Sequence, residues 1–139
     1  MSHTIPIRIY YEDTDAGAIA YHASFIRFCE RGRSEFLRHI GFTNSSLTKE
    51  LGTFFVARHL EADYLKPALL DDLLMLETSI IDMKNTSFVM RQVLRKEFDG
   101  VPEIICEVKV TLVCVNAHDI KPVRIPAKLR EKFEEHKER

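Results

Sequence analysis

Between Ile5 and Glu12, isoleucine and tyrosine alternate loosely with polar residues, a spacing that predicts a first strand ending in the acidic turn EDTDAG. From about Ala23 the period lengthens. Phe25, Phe28, Cys29, Gly32 and Phe36 fall on one helical stripe, widened by Ile26, Leu37 and Ile40, while Arg27, Arg31, Ser34 and Arg38 lie off it. Gly41 follows the last periodic residue, and Arg38 and His39 occupy the last turn. One long helix is therefore predicted from roughly Ala23 to Ile40.

After the polar connection TNSS, everything as far as about Asn116 reads as strand. Phe54, Val56, Leu60, Ala62 and Tyr64 share one parity, interrupted by Arg58, and Pro67 ends the run. In the run from Leu73 to Met83, Leu74, Leu76 and Ile80 share a side. Phe88, Met90, Leu94 and Phe98 then face away from Arg91, Arg95 and Glu97, and FDGVP makes a turn. From Ile104 to Val115, the positions Ile104, Cys106, Val108, Val110, Leu112 and Cys114 share one face. The tail IPAKLREKFEEHKER is a short amphipathic helix that becomes almost wholly charged and frays. Four consecutive strands joined by short turns must be largely antiparallel, because parallel neighbours need crossovers. The expected class is α+β: one antiparallel sheet of five strands with a long helix packed across one face. A single domain spanning residues 1–139 is expected, with the charged tail at about 127–139.

Composition narrows the functional classes. With 20 basic and 21 acidic side chains the chain carries no overall field for nucleic acid or an anionic membrane. Cys29, Cys106 and Cys114 are odd in number and widely spaced, without a zinc pattern, and read as free buried thiols in a reducing compartment. The amino-terminal MSHTIPIRIYY lacks the layout of a secretory signal, and no apolar run is long enough to span a bilayer. The expectation is a cytoplasmic protein.

Against this background the stretch YYEDTDAGAIAYHASF stands out, since carboxylates beside an apolar run are costly to bury unless paired. Asp13 reads as a turn residue whose side chain bonds nearby N–H groups. Asp15 taken alone is also a turn or capping residue, and a lone His22 at a helix start carries little information. Tyr10 reads as packing, and Tyr11 and Tyr21 either orient groups or pack.

The same stretch, followed by CERGRSEFL, resembles the signature of hotdog-fold acyl-CoA thioesterases of the 4-hydroxybenzoyl-CoA thioesterase family, and within it the tol-pal-associated acyl-CoA thioesterase branch. The resemblance covers nearly the whole chain and implies the hotdog fold, a five-stranded antiparallel sheet wrapped around one long central helix. It implies hydrolysis of a short- to medium-chain acyl-CoA thioester, with aromatic acyl groups or acyl carrier protein as other substrates. Asp15 is then the catalytic carboxylate, as general base or nucleophile. Seven positions on, His22 marks the helix amino terminus whose N–H faces the thioester carbonyl. Tyr11, Asp13, Gly17, Tyr21 and Glu30 have supporting roles, Gly17 by close approach and Glu30 by positioning water or binding Arg33. Lys84 and Ser87, with Asn85 and Thr86 behind them, are carried over as coenzyme A contacts, against the alternative of an ordinary polar hairpin turn. Arg58 is a second candidate.

Neither a cofactor nor a metal is implied. A homodimer or homotetramer is implied, with the site at the subunit junction. Where relatives show AGGVVYH or PAGIVxY this chain has AGAIAYH, which leaves the chemistry intact and alters the pocket through Ala18 and Ala20. The alternatives are a hotdog dehydratase or hydratase, and a non-catalytic module binding acyl-CoA or acyl carrier protein.

Overall fold

The computed structural model describes residues 2–138. In chain order it contains β1 (His3–Arg8), α1 (His22–His39), α2 (Asn44–Leu51), β2 (Thr53–Tyr64), β3 (Leu73–Met83), β4 (Ser87–Phe98), β5 (Val101–Asn116) and α3 (Ala127–His136). The five strands form one sheet in the order β1-β3-β4-β5-β2, every pairing antiparallel. β1 and β2 are therefore the edges, and Pro6 is accommodated because β1 has only one neighbour. β1 is shorter than its sequence pattern. It ends at Arg8 because the Asp13 carboxylate takes the Tyr10 N–H and the chain winds into a 3-10 turn, Tyr11–Asp13.

α1 lies across the sheet with Phe25, Phe28, Cys29, Gly32, Phe36 and Leu37 buried, the stripe that its spacing predicts. Gly41 ends it in the left-handed region at φ 99°. Two apolar clusters flank the helix midpoint, one around Phe28, Leu76, Leu94 and Val108, the other around Phe36, Ile80, Met90 and Leu112. Between them the inward positions of β3 and β4 carry Thr78 and Gln92, both buried. The Gln92 amide donates to the Cys29 carbonyl at 2.8 Å and to Thr78 Oγ1 at 3.0 Å. Above this polar pair the helix presents Gly32, where a Cβ would come within 2.6 Å of Leu76 Cδ2. Helix and sheet approach closely at a glycine, and the helix carbonyl and the Thr78 hydroxyl satisfy the buried amide's donors.

Three features differ from the sequence expectation. The TNSS connection is part of a second helix, α2, started by a reciprocal pair in which Thr43 and Ser46 bond each other's backbone N–H groups. The helix docks through Leu47, which is wholly buried. The charged tail does not fray among the described residues: α3 buries Leu129 and Phe133, and the Glu138 N–H bonds the Ile80 carbonyl at 2.8 Å. Finally, Ile104 and Cys106 do not share a clean parity, because Ile105 is an extra residue between the pairs Leu94–Cys106 and Arg95–Ile104. That bulge turns Ile105 into the core. A second bulge leaves Arg58 without a partner between Ala57 and His59, which accounts for the polar interruption in β2. The β4–β5 connection is the expected two-residue turn, with Asp99 and Gly100 both at positive φ.

Candidate active site

The loop between β1 and α1 is built by local hydrogen bonds. Asp13 Oδ2 accepts the Tyr10 N–H at 2.8 Å, and the Asp13 carbonyl accepts both the Tyr21 N–H at 2.8 Å and the Ser24 hydroxyl at 2.9 Å. Asp13 is buried, with Arg27 3.9 Å away. One residue thus fastens the turn to the first turn of the helix.

Beyond it the chain makes a tight hairpin. Thr14 bridges to Ala20, the Asp15 N–H bonds the Ile19 carbonyl at 3.1 Å, and the Ala18 N–H bonds the Asp15 carbonyl at 3.1 Å. Ala18 sits at φ 56°, in the left-handed region. The outer side of the hairpin is tied to the segment before β3 by Ala20 N–H to Ala68 and Leu70 N–H to Ala18. Asp15 is exposed at the tip of this braced loop, and its Oδ1 accepts the Gly17 N–H at 3.1 Å. That bond engages one carboxylate oxygen of an exposed side chain. A Cβ on Gly17 would stand in ordinary contact with Asp15 Oδ1 at 3.7 Å, so the close approach that demands glycine is not made inside this chain.

The hairpin leads directly into the amino terminus of α1. Tyr21 is the N-cap, makes no side-chain cap bond, and is followed by no acidic residue in the first turn. The first N–H groups of a helix have no internal partner and carry the positive end of its dipole. Here no side chain of the described residues occupies them. His22 is exposed, its ring 4.2 Å from that of Tyr21 and 6.2 Å from that of Tyr64. The Tyr64 hydroxyl donates to the His22 carbonyl at 3.1 Å. His22, Phe25, Tyr64, Lys66 and Pro67 line a cleft of about 270 Å³ against this terminus. Tyr64 was not singled out from the sequence; its position at the end of a strand-like run, before Pro67, was the available signal. Tyr10 and Tyr11 are 61% and 80% exposed, so the expected packing of Tyr10 is absent; the early end of β1 swings both rings outward.

Glu30 lies two turns further along α1 and is exposed. Arg33 is not paired with it by a hydrogen bond among the described residues; its Nη1 donates to Gln92 Oε1 at 3.0 Å. Burial lowers the Arg33 pKa, while Cys29 and Glu30 pull it the other way. Gln92 was missed in the sequence, although it shares the inward parity of Phe88, Met90 and Leu94 and is polar there.

Lys84, Asn85, Thr86 and Ser87 form the β3–β4 hairpin, closed by the Lys84 N–H to the Ser87 carbonyl at 2.8 Å. They do not join Asp15 within one chain. The Asp15 loop abuts the segment leading to Leu73, whereas the hairpin follows Met83, and an 11-residue strand separates them by roughly 35 Å at about 3.3 Å per residue. Backbone carbonyls of the hairpin accept bonds from Ile125 and Arg130, which anchor it to the carboxy-terminal segment. Arg58 is exposed at the bulge on the free edge of β2. Among the described residues no three His, Cys, Asp or Glu side chains are grouped to hold a metal ion, and no helix is long and apolar enough to cross a membrane.

A long helix laid across one face of a five-stranded antiparallel sheet is the hotdog arrangement. The chain belongs to the thioesterase-like superfamily, whose family model matches residues 10–133. Acyl-CoA thioesterase YbgC of Haemophilus influenzae is 38% identical over 130 residues, spanning 94% of this chain and 93% of that protein. The crystal structure of a probable thioesterase from Bartonella henselae superposes with a TM-score of 0.83 at 36% identity, covering 91% of this chain and all of that one. A 4-hydroxybenzoyl CoA thioesterase variant, solved with 4-hydroxybenzoyl CoA, shares the fold with a TM-score of 0.88 at 20% identity, over 95% of this chain and 98% of its own.

Proposed function

We propose that the protein is an acyl-CoA thioesterase. The observation that carries the reading is that Asp15 stands on a loop braced by backbone hydrogen bonds and bridges, which leads directly into an α1 amino terminus that has no side-chain cap. The names of its relatives supply the substrate class. A thioester carbonyl seated in the cleft would direct its oxygen at the first N–H groups of α1. Water attacks the carbonyl carbon, Asp15 takes the proton, and negative charge collects on the carbonyl oxygen, where the helix terminus stabilises it. Collapse breaks the C–S bond, and the thiolate leaves and takes up the proton. Asp15 acting directly as nucleophile reaches the same products through an anhydride that water then opens. The His22 imidazole, which lines the cleft, assists the departing thiolate.

The remaining parts of the proposal follow from the edges of the sheet. β2 offers an unpaired edge, and exposed Leu60 and Tyr64 lie on it. Two copies pairing there by a two-fold axis give a homodimer, the unit from which a homotetramer is built. Such a pairing also turns the Lys84–Ser87 hairpin of one copy toward the Asp15 end of the other, the arrangement in which it can serve the coenzyme A moiety. The three free thiols are buried, which supports a reducing, cytoplasmic setting.

The test is thiol release from a panel of acyl-CoA and acyl carrier protein thioesters, with Asp15→Ala as control. Loss of general-base catalysis is expected to lower kcat by about 10²- to 10⁴-fold while the folded state is retained. If no thioester yields thiol above the background of the variant, the proposal fails.

A further inference from the structure

The loop that carries Asp15 leaves the sheet after β1 and rejoins the fold at Ala20, and residues 68–72 hold both of its ends. At the entrance the Ile9 N–H donates to the Asp72 carbonyl and the Asp71 N–H to the Ile9 carbonyl, each at 2.9 Å. At the exit the Ala20 N–H donates to the Ala68 carbonyl at 2.7 Å, the Leu70 N–H donates to the Ala18 carbonyl at 3.1 Å, and Ile19 bridges to Leu69. Asp15 stands between these ties, its own N–H on the Ile19 carbonyl. Residues 68–72 belong to no helix or strand, so the placement of the carboxylate depends on what anchors them.

Two lysines supply the anchorage. Asp72 Oδ2 accepts the Leu69 N–H and the Lys96 ammonium, both at 2.8 Å, which closes the turn and fastens it to β4. At the other end Lys66 pairs with Glu103 of β5. The two ammonium groups lie 4.9 and 5.0 Å from the centre of one ring, Phe98. The partners are crossed. Lys96 stands opposite Glu103 in the β4–β5 register, a position where opposite charges ordinarily pair across two strands. Here Lys96 bonds Asp72 instead, and Glu103 takes Lys66. A pair that would have served the sheet is divided between the two ends of the segment that holds the loop. The Asp72 and Lys96 side chains are 15% and 23% exposed, against 30% and 32% for the Glu77–Arg95 pair on β3 and β4, so solvent screens the anchoring pair less.

We infer that Lys96 and Asp72 are positioning residues for the proposed hydrolysis, acting through residues 68–72 to hold Asp15 at a fixed place relative to the α1 amino terminus. The inference rests on the thioesterase reading and adds to it the charged support of the reacting carboxylate. Neither side chain lines the cleft, so their loss is expected to act on kcat rather than on KM.

Steady-state kinetics of acyl-CoA hydrolysis, read beside amide hydrogen exchange, test this. Lys96→Met removes the ammonium and keeps an apolar stem, and is expected to lower kcat by about tenfold with KM changed by less than about twofold. Lys96→Arg restores a cation and is expected to return kcat to within about threefold of the parent. Asp72→Asn keeps an oxygen for the Leu69 N–H without the charge and is expected to repeat the loss seen in Lys96→Met. Glu77→Gln breaks the comparison ion pair and is expected to leave kcat unchanged, which separates a misplaced loop from a weakened sheet. The Ala20 and Leu70 amides, which cross between the loop and residues 68–72, are expected to exchange about tenfold faster in Lys96→Met and at the parent rate in Glu77→Gln. Wild type that hydrolyses no acyl-CoA overturns the thioesterase reading itself. Active wild type in which Lys96→Met and Asp72→Asn are no slower than Glu77→Gln, or in which both leave the Ala20 and Leu70 amides at the parent rate, overturns the positioning role alone.

Discussion

The Tyr64 hydroxyl, at the last residue of β2, donates a 3.1 Å hydrogen bond to the carbonyl of His22, the first residue of α1. The edge of the sheet is thus tied to the helix terminus that faces the cleft, and Phe25 packs its ring 5.7 Å from the same tyrosine. Tyr64→Phe keeps the ring and removes the bond. Since the pair is exposed, the expected stability loss is at the low end for a hydrogen bond, about 0.5 kcal/mol in a urea titration. A larger relative fall in kcat than in KM is expected, because the helix terminus is positioned and substrate contacts are kept. An unchanged kcat removes the positioning role.

Gly32 and Gln92 form a tighter relationship. A Cβ at Gly32 would meet Leu76 Cδ2 at 2.6 Å and both Gln92 Nε2 and Thr78 Oγ1 at 3.0 Å. Gly32→Ala gains helix propensity but overpacks this crossing, and the overpacking term of about 1–3 kcal/mol is expected to win. Gln92→Leu is expected to cost about 1–3 kcal/mol by a different route, leaving the Arg33 guanidinium and Thr78 hydroxyl without their buried partner. Denaturant midpoints of the single and double variants measure both. Because the residues touch, the two losses are expected to be less than additive.

Those residues also show where sequence reading stops. The α1 stripe, the β3 parity and the Asp99-Gly100 turn were legible because each is a local pattern with a fixed period or a required φ. Asp15 and His22 were singled out by a motif, yet the shape of the loop between them depends on the Thr14–Ala20 bridge and on ties to Ala68 and Leu70, contacts far away in sequence. α2 was hidden because serine in its first turn replaces the usual glutamate as the reciprocal cap. Ile105 and Arg58 sit at bulges, where one extra residue reverses the parity that a strict alternation assumes. Gln92 was overlooked because a polar residue on an inward face gains its meaning only from the glycine above it.

Asp13 and Asp15 stand two residues apart and are expected to separate cleanly by experiment. The buried Asp13 carboxylate accepts the Tyr10 N–H and its removal undoes the turn, a loss of about 1–2 kcal/mol comparable to losing a helix cap. Asp15 is exposed and, among the described residues, its side chain bonds the Gly17 N–H alone, so Asp15→Ala is expected to shift thermal stability by about 0.5 kcal/mol or less. Calorimetry of Asp13→Ala and Asp15→Ala, beside thiol-release activity, gives the contrast. Equal destabilisation by both would remove the distinction between a bracing and a reacting carboxylate.

Stability is expected to fall on acidification in two stages. Burial and the stacked His39, 4.4 Å away, lower the His3 pKa, with Glu35 opposing them. The unfolded chain therefore binds a proton more readily than the folded one. The His3 contribution is fully present above the ordinary imidazole value of about 6.5 and is lost as pH falls below it. Glu77 is lowered by hydrogen bonds from Ser2 and then Arg95. Its contribution is present above the ordinary carboxylate value of about 4.3 and is lost as pH falls through the lower folded value. His3→Phe keeps a ring beside His39 without the titration and is expected to flatten the first stage only. Glu77→Gln is expected to flatten the second only. Urea midpoints from about pH 8 to pH 3 read both stages. A first stage as steep in His3→Phe as in the parent would assign it to another histidine.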